Sequence, residues 1–215
     1  MNKKITFIVG HYGSGKSETA INLALFYKVD MIIDLDIVNP YFRSREVKEL
    51  FNNQGIKLIS SPLKEADTAD LPYLSSDIYL PFHQNVTAIY DVGGDKIGSR
   101  VIKQFQDYYG EDFDVLLVIN IYRLETDSKI KIIKMIEEIE SETKLKITGL
   151  INNSNYLKET ILEDIKLGQS IILDVSKQLK IPIVYTIINE RLFSKNLEFA
   201  GKIIPLKLYL RKDWL

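Results

Sequence analysis

Eight consecutive residues, Gly10-His11-Tyr12-Gly13-Ser14-Gly15-Lys16-Ser17, fit the spacing G-x-x-x-x-G-K-[ST]. Glycines at these positions let successive backbone N–H groups turn toward one anion. A helix starting directly after them adds the positive end of its dipole. The chemistry this implies is a phosphate chain held by a P-loop. Lys16 is placed to reach the terminal phosphate oxygens, and the Ser17 hydroxyl to hold Mg²⁺. The apolar run Ile5–Val9 before the loop and a helix-like stretch after it supply the strand–loop–helix context the motif needs.

Three further clusters follow apolar runs. Asp34-Leu35-Asp36 ends the second run, and side chains two apart at a strand end point the same way. Asp36 is therefore a candidate to orient water or to hold a metal-bound water; helix capping or a turn is the alternative. Ala88-Ile89-Tyr90-Asp91-Val92-Gly93-Gly94 has the form of a strand ending in a metal-directed aspartate. Asp91 would contact Mg²⁺ through water, and the N–H groups of Gly93-Gly94 would sense a terminal phosphate, as in a segment ordered by triphosphate. Gly149-Leu150-Ile151-Asn152-Asn153-Ser154-Asn155 closes another run, and an amide there can pair with both edges of adenine. An Asn-rich turn is the alternative. No N-K-x-D arrangement supplies a carboxylate for guanine, which favours ATP over GTP.

The elements that must position these groups can be read from periodicity. Strands are expected at Ile5–Val9, Met31–Ile33, Ile56–Ile59, Val86–Tyr90, Val115–Ile119, Ile147–Ile151 and Ile181–Ile187. Helices are expected at Lys16–Tyr27, Ser44–Asn53, Gly98–Tyr109, Asp127–Thr143 and Glu159–Leu179. Alternating strands and helices imply right-handed crossovers. The fold class expected is α/β, a doubly wound, mostly parallel sheet of about seven strands with helices on both faces. Residues 1–215 form one domain, with a long insertion at 60–85 carrying a short helix near Leu71–Tyr79. The tail 203–215, with Trp214, is expected to pack as a terminal helix or extended arm.

Composition narrows the partners. Lys+Arg is 28 and Asp+Glu is 29, a net charge of −1, which is not the footprint of a general nucleic-acid binder. The absence of cysteine removes disulfides, thiolate catalysis, Fe–S ligation and Cys-type zinc sites, and only His11 and His83 remain for metal binding. The run after Met1-Asn2-Lys3-Lys4 is too short for a secretory signal, and no stretch approaches the roughly 18–20 apolar residues of a membrane span. A cytoplasmic protein is expected, with no nucleic-acid or membrane partner.

In this order the motifs resemble the MinD/ParA/CobQ-type P-loop ATPases of the SIMIBI class, over about Lys3 to Asn189. The segment from Asp34 to Glu46, with Asn39-Pro40-Tyr41-Phe42-Arg43-Ser44-Arg45, resembles a bacterial ATP-binding subgroup. The resemblance implies ATP and Mg²⁺ as ligands, bound by the loop residues Gly10 to Ser17 and the adjoining Glu18. It implies Lys16 and Asp36 as catalytic residues, with Asp36 in switch I, and Asp91 and Gly94 in switch II. Ser17, Asp36 and Asp91 would attend the metal, and Asn153 and Asn189 the adenine. Typical members carry a lysine in the loop that reaches across a homodimer; His11 and Tyr12 stand there instead. Arg43 or Arg45 could supply the missing charge. The function expected is a slow ATPase acting as a nucleotide-dependent switch for a protein client. A small-molecule kinase or ligase using Asp67, Asp70, Asp77, Arg43 and Arg45 is one alternative, and a non-hydrolysing scaffold is another.

Overall fold

The computed structural model describes residues 3–36, 45–60, 76–94, 101–105, 108 and 113–210, with the side chains of Arg45 and Glu46 left aside. Arg43, Tyr41, Phe42, Asp67, Asp70, Trp214 and the Arg45 side chain therefore lie outside the described residues.

Short, wholly apolar strands cannot face water on either side, so they stack in parallel under helices. The strands are β1 (Ile5–Val9), β2 (Met31–Asp34), β3 (Lys57–Ser60), β4 (Ala88–Asp91), β5 (Phe113–Ile119), β6 (Gly149–Asn152), β7 (Ile183–Asn189) and β8 (Lys202–Leu206). They form one eight-stranded sheet in the order β3-β2-β4-β1-β5-β6-β7-β8, and every pairing is parallel. The helices are α1 (Lys16–Tyr27), α2 (Arg45–Asn53), α3 (Leu80–His83), α4 (Lys129–Thr143) and α5 (Leu162–Leu179). A 3₁₀ turn at Ser76–Tyr79 precedes α3.

Side-chain alternation along β1 separates two cores. Phe7 and Val9 join Ile132 and Ile136 of α4 and Ile172 and Val175 of α5 on one face. Ile8 joins Ile21 and Leu23 of α1 and Val47 and Phe51 of α2 on the other. The sheet is thus covered on both sides, as the sequence implied.

The sheet expected at about seven strands, mostly parallel, has eight strands and is parallel throughout. The eighth lies in the segment expected to be a helix or arm: Lys202–Leu206 pairs with β7, with Pro205 opposite Ile188. Proline lacks an N–H donor, and β8 accommodates it because it is an edge strand. Beyond it, residues 207–210 are fixed to α1. Asn22 Nδ2 donates to the Lys207 carbonyl at 2.9 Å, and Lys207 N donates back to Asn22 Oδ1 at 3.0 Å. The Glu18 carboxylate accepts the N–H groups of Tyr209 and Leu210, the latter at 2.8 Å.

Candidate nucleotide-binding site

In a parallel sheet the loops following the strands gather along one edge, and the crevice opens where the strand order reverses. Here that point is β1, flanked by β4 and β5. The loop after β1 carries the P-loop residues, and those after β2, β4, β5, β6 and β7 carry Asp36, Gly94, Asn120, Asn153 and Glu190. A cavity of about 360 Å³ lies there, bounded by Tyr12 to Glu18, Asp36, Asn120, Arg123, Asn153 and Asn155, with Asn189 at the end of β7. Its far wall is apolar and includes Leu157, Ile165, Ile187, Leu206, Leu208 and Leu210. That division, backbone amides and charge at one end and hydrocarbon at the other, matches a phosphate chain attached to a flat base.

The loop is built by glycine. Gly13 has φ +76° and Gly15 φ +89°, both left-handed, and Gly15 caps α1 with no side-chain hydrogen bond to its N-terminal amides. Lys16 is only 6% exposed, and its Nζ donates to the His11 carbonyl at 3.1 Å. Gly94 presses on the same place: a Cβ there would stand 2.6 Å from Lys16 Nζ and 2.6 Å from the Tyr12 nitrogen. Any larger residue would push the loop after β4 off the P-loop.

Asp91 ends β4 beside Asp34 of β2, 1% exposed, and neither carboxylate oxygen meets a hydrogen-bond partner at standard geometry. Burial pushes its carboxyl up to about 7; Lys16 and Ser17 pull it down, and Asp36 adds to the rise. Burial outweighs what Lys16 and Ser17 return, and a buried carboxylate so placed costs stability unless a further cation meets it. Its orphaned oxygens, with Ser17 beside it, therefore fit a hydrated Mg²⁺. Asp36 N donates to Asp34 Oδ1 at 2.9 Å, which turns the chain after β2 so that Asp36 lines the cavity. Among the described residues, no three His, Cys, Asp or Glu side chains cluster as a protein-only metal site, so any metal there draws ligands from elsewhere as well.

Asn153 is used differently from the expectation of base contact alone. Its Nδ2 donates to the Ser14 carbonyl at 2.7 Å, which ties the loop after β6 to the P-loop. At Asn189, Oδ1 accepts the Arg191 N–H at 2.9 Å, while the buried Nδ2 has no partner. Glu18 lines the cavity, with its carboxylate on residues 209 and 210. Tyr12 is 54% exposed, and His11 Nδ1 lies 3.5 Å from Glu125. Asp77 does not line the cavity; it pairs with Lys57 at 3.0 Å. Arg123, which no sequence motif marks, does line it, and Nε donates to the Gly13 carbonyl at 2.9 Å.

Solved structures share this architecture. The cell division protein FtsY of Thermotoga maritima superposes with TM-score 0.52 at 20% identity, over 87% of this chain and 62% of that one. Chloroplast FtsY of Physcomitrella patens gives 0.52 at 17%, over 86% and 58%. The signal recognition particle receptor FtsY of Elizabethkingia anophelis gives 0.57 at 16%, over 94% and 62%. The fold is that of a P-loop NTPase. The chain spans about six-tenths of the length of these three structures, and at these identities the likeness is one of fold. No protein-family model matches the sequence, and no curated protein matches it. The narrower MinD/ParA/CobQ resemblance thus rests on the motifs. Among the described residues, no helix is long and apolar enough to cross a membrane.

Proposed function

We propose that this protein binds Mg²⁺·ATP in the cavity over the P-loop, hydrolyses it slowly, and uses the change of nucleotide to switch its contact with a protein client. The observation that carries this reading is the buried Lys16 at the polar end of a cavity whose other end is apolar, with the buried Asp91 carboxylate close to Lys16 and Ser17 behind it.

The P-loop amides and Lys16 bind the phosphate chain and offset the charge that grows on it during transfer. Asp36 orients the attacking water by accepting its hydrogen bond. Ser17 and Asp91, with Asp36 through water, would hold Mg²⁺, which when bound supplies charge neutralisation at the phosphates. Gly94, packed on Lys16 and the Tyr12 nitrogen, is the group that a terminal phosphate would reach and move. The switch output then passes to the segments following β2 and β4.

Support for adenine comes from the lining. Among the described residues, its only carboxylates are Glu18 and Asp36. Glu18 is occupied by backbone N–H groups of residues 209 and 210. Asp36 follows β2, next to the strand that ends in Asp91. Among the described lining residues, the base end offers amides (Asn153, Asn155, Asn189) and the Thr160 hydroxyl, and no carboxylate for the N1 and N2 hydrogens of guanine.

The test is phosphate release from ATP and from GTP with Mg²⁺, for the wild type and for Asp36→Ala. Hydrolysis of ATP in preference to GTP, reduced about 10²-fold or more in Asp36→Ala, is the expected result. Equal rates in the two proteins would remove Asp36 from its role, and a preference for GTP would overturn the base assignment.

A further inference from the structure

Arg123 stands on a built turn beyond β5. Its N–H donates to the Asn120 carbonyl at 3.1 Å, and the Thr126 hydroxyl donates to the same carbonyl at 2.6 Å. The Asn120 side chain accepts the N–H groups of Tyr122 and Asn155, tying this turn to the loop after β6. The Tyr122 and Tyr156 rings pack with centroids 3.9 Å apart across the same junction. The turn is therefore held from several sides, and it delivers Arg123 onto the P-loop. Nε donates to the Gly13 carbonyl, and the guanidinium carbon lies 3.6 Å from where a Gly13 Cβ would be.

A guanidinium has five N–H donors in a fixed planar fork, and this contact uses one. Among the described residues no carboxylate pairs with Arg123. The two acids of the same turn face other partners: Glu125 lies against His11, and Asp127 pairs with Lys131 at 2.6 Å. A permanent cation thus lines the nucleotide cavity beside the middle of the phosphate-cradling loop, and among the described residues its side-chain hydrogen bond is made through Nε. His11, at the position where typical members of the resembled family carry a lysine, is engaged by Glu125 and the Tyr12 carbonyl.

We propose that Arg123 is a phosphate-binding residue supplied in cis, which contacts the oxygens of the nucleotide's phosphate chain through its Nη groups. This rests on the reading of the cavity as a nucleoside triphosphate site. Arg123 takes the charge-stabilising part that the sequence suggested for Arg43 or Arg45. Arginine suits the position because one planar group can hold the loop carbonyl and a phosphate oxygen together.

The experiment is equilibrium binding of ATP and ADP, at low and high salt, to the wild type, Arg123→Gln and Arg123→Lys, with melting temperatures measured without nucleotide. The glutamine amide can still donate to the Gly13 carbonyl but carries no charge. The expected result is a roughly ten- to hundredfold weaker affinity for ATP in Arg123→Gln. A shallower salt dependence should accompany it, with partial recovery in Arg123→Lys and an unchanged melting temperature. Wild-type affinity in Arg123→Gln, or equal losses in both variants together with a lower melting temperature, would show that Arg123 only supports the loop. If the wild type binds neither nucleotide, the cavity assignment falls and this inference with it.

Discussion

At the N-terminal ends of β2 and β4, the Asp30 carboxylate accepts the Thr87 N–H at 2.7 Å and the Thr87 hydroxyl at 2.8 Å. A similar closure joins β5 and β6, where the Thr148 hydroxyl donates to Asp114 at 3.0 Å and accepts the Val115 N–H at 3.0 Å. At the opposite end of the sheet, Asp91 of β4 is buried with no hydrogen bond to either oxygen at standard geometry, and Ser14 Oγ in the P-loop and Asn189 Nδ2 at the end of β7 are also without partners. One strand thus carries a satisfied carboxylate contact at its start and an unsatisfied carboxylate at its end. Folding alone would favour pairing both, because a buried unpaired group costs more than a hydrogen bond returns. The polar groups of the first end stabilise the sheet. Those of the second lack such a closure, which is the arrangement the proposed Mg²⁺·nucleotide site requires.

Asp91→Asn tests this contrast with the largest effect. The folded-state value of about 7 lies above the ordinary 3.8, so the protonated form is the favoured one when folded. Stability is then full below about pH 4 and is lost as the pH rises through about 7. In nucleotide-free, metal-free protein, thermal and urea unfolding should find Asp91→Asn more stable than the wild type at pH 8, by up to about 4 kcal/mol, and little changed at pH 4. An Asp91→Asn variant less stable at pH 8 would mean that the carboxylate is satisfied after all.

Gly94→Ala comes next. Its new Cβ would meet backbone as well as Lys16, so a cost of about 1–3 kcal/mol or a displaced loop is expected, together with weaker ATP binding. Unaltered melting and unaltered affinity would contradict the packing of the loop after β4 on the P-loop.

The smallest effect belongs to the closed end. The Thr87 contacts hold Asp30 below the usual carboxylate range, so its contribution is present at neutral pH and fades as acid protonates it. Asp30 is exposed and screened, and Asp30→Ala should cost about 1 kcal/mol or less, roughly 2–4 °C, with ATP affinity unchanged. A change in affinity would show that the two ends are coupled.

Much of this arrangement could be read before the structure. The P-loop spacing located β1 and gave the limits of α1 as observed, and apolar runs located the first seven strands to within a few residues. β8 escaped because Lys202 and Pro205 break its apolar run, and an edge strand need not be apolar on both faces. Asp36 and Asp91 could be named as candidates because each sits at or just past the end of a strand that periodicity identifies. Arg123 was not, since its partner is a backbone carbonyl 110 residues away and no side-chain pattern records such a contact. Its one sequence signal was its place just past a buried strand on the edge shared by all the other site residues. The grip of Glu18 on residues 209 and 210 escaped for the same reason: the acceptor is a side chain, but the donors are main chain.

The most direct test of the central claim is calorimetric titration of ATP with Mg²⁺ into the wild type and into Lys16→Ala. The account predicts one ATP per chain for the wild type and a loss of at least about a hundredfold in affinity for Lys16→Ala, measured at a temperature where both proteins are folded. A wild type that binds no ATP, or a Lys16→Ala variant that binds it equally well, would contradict the account.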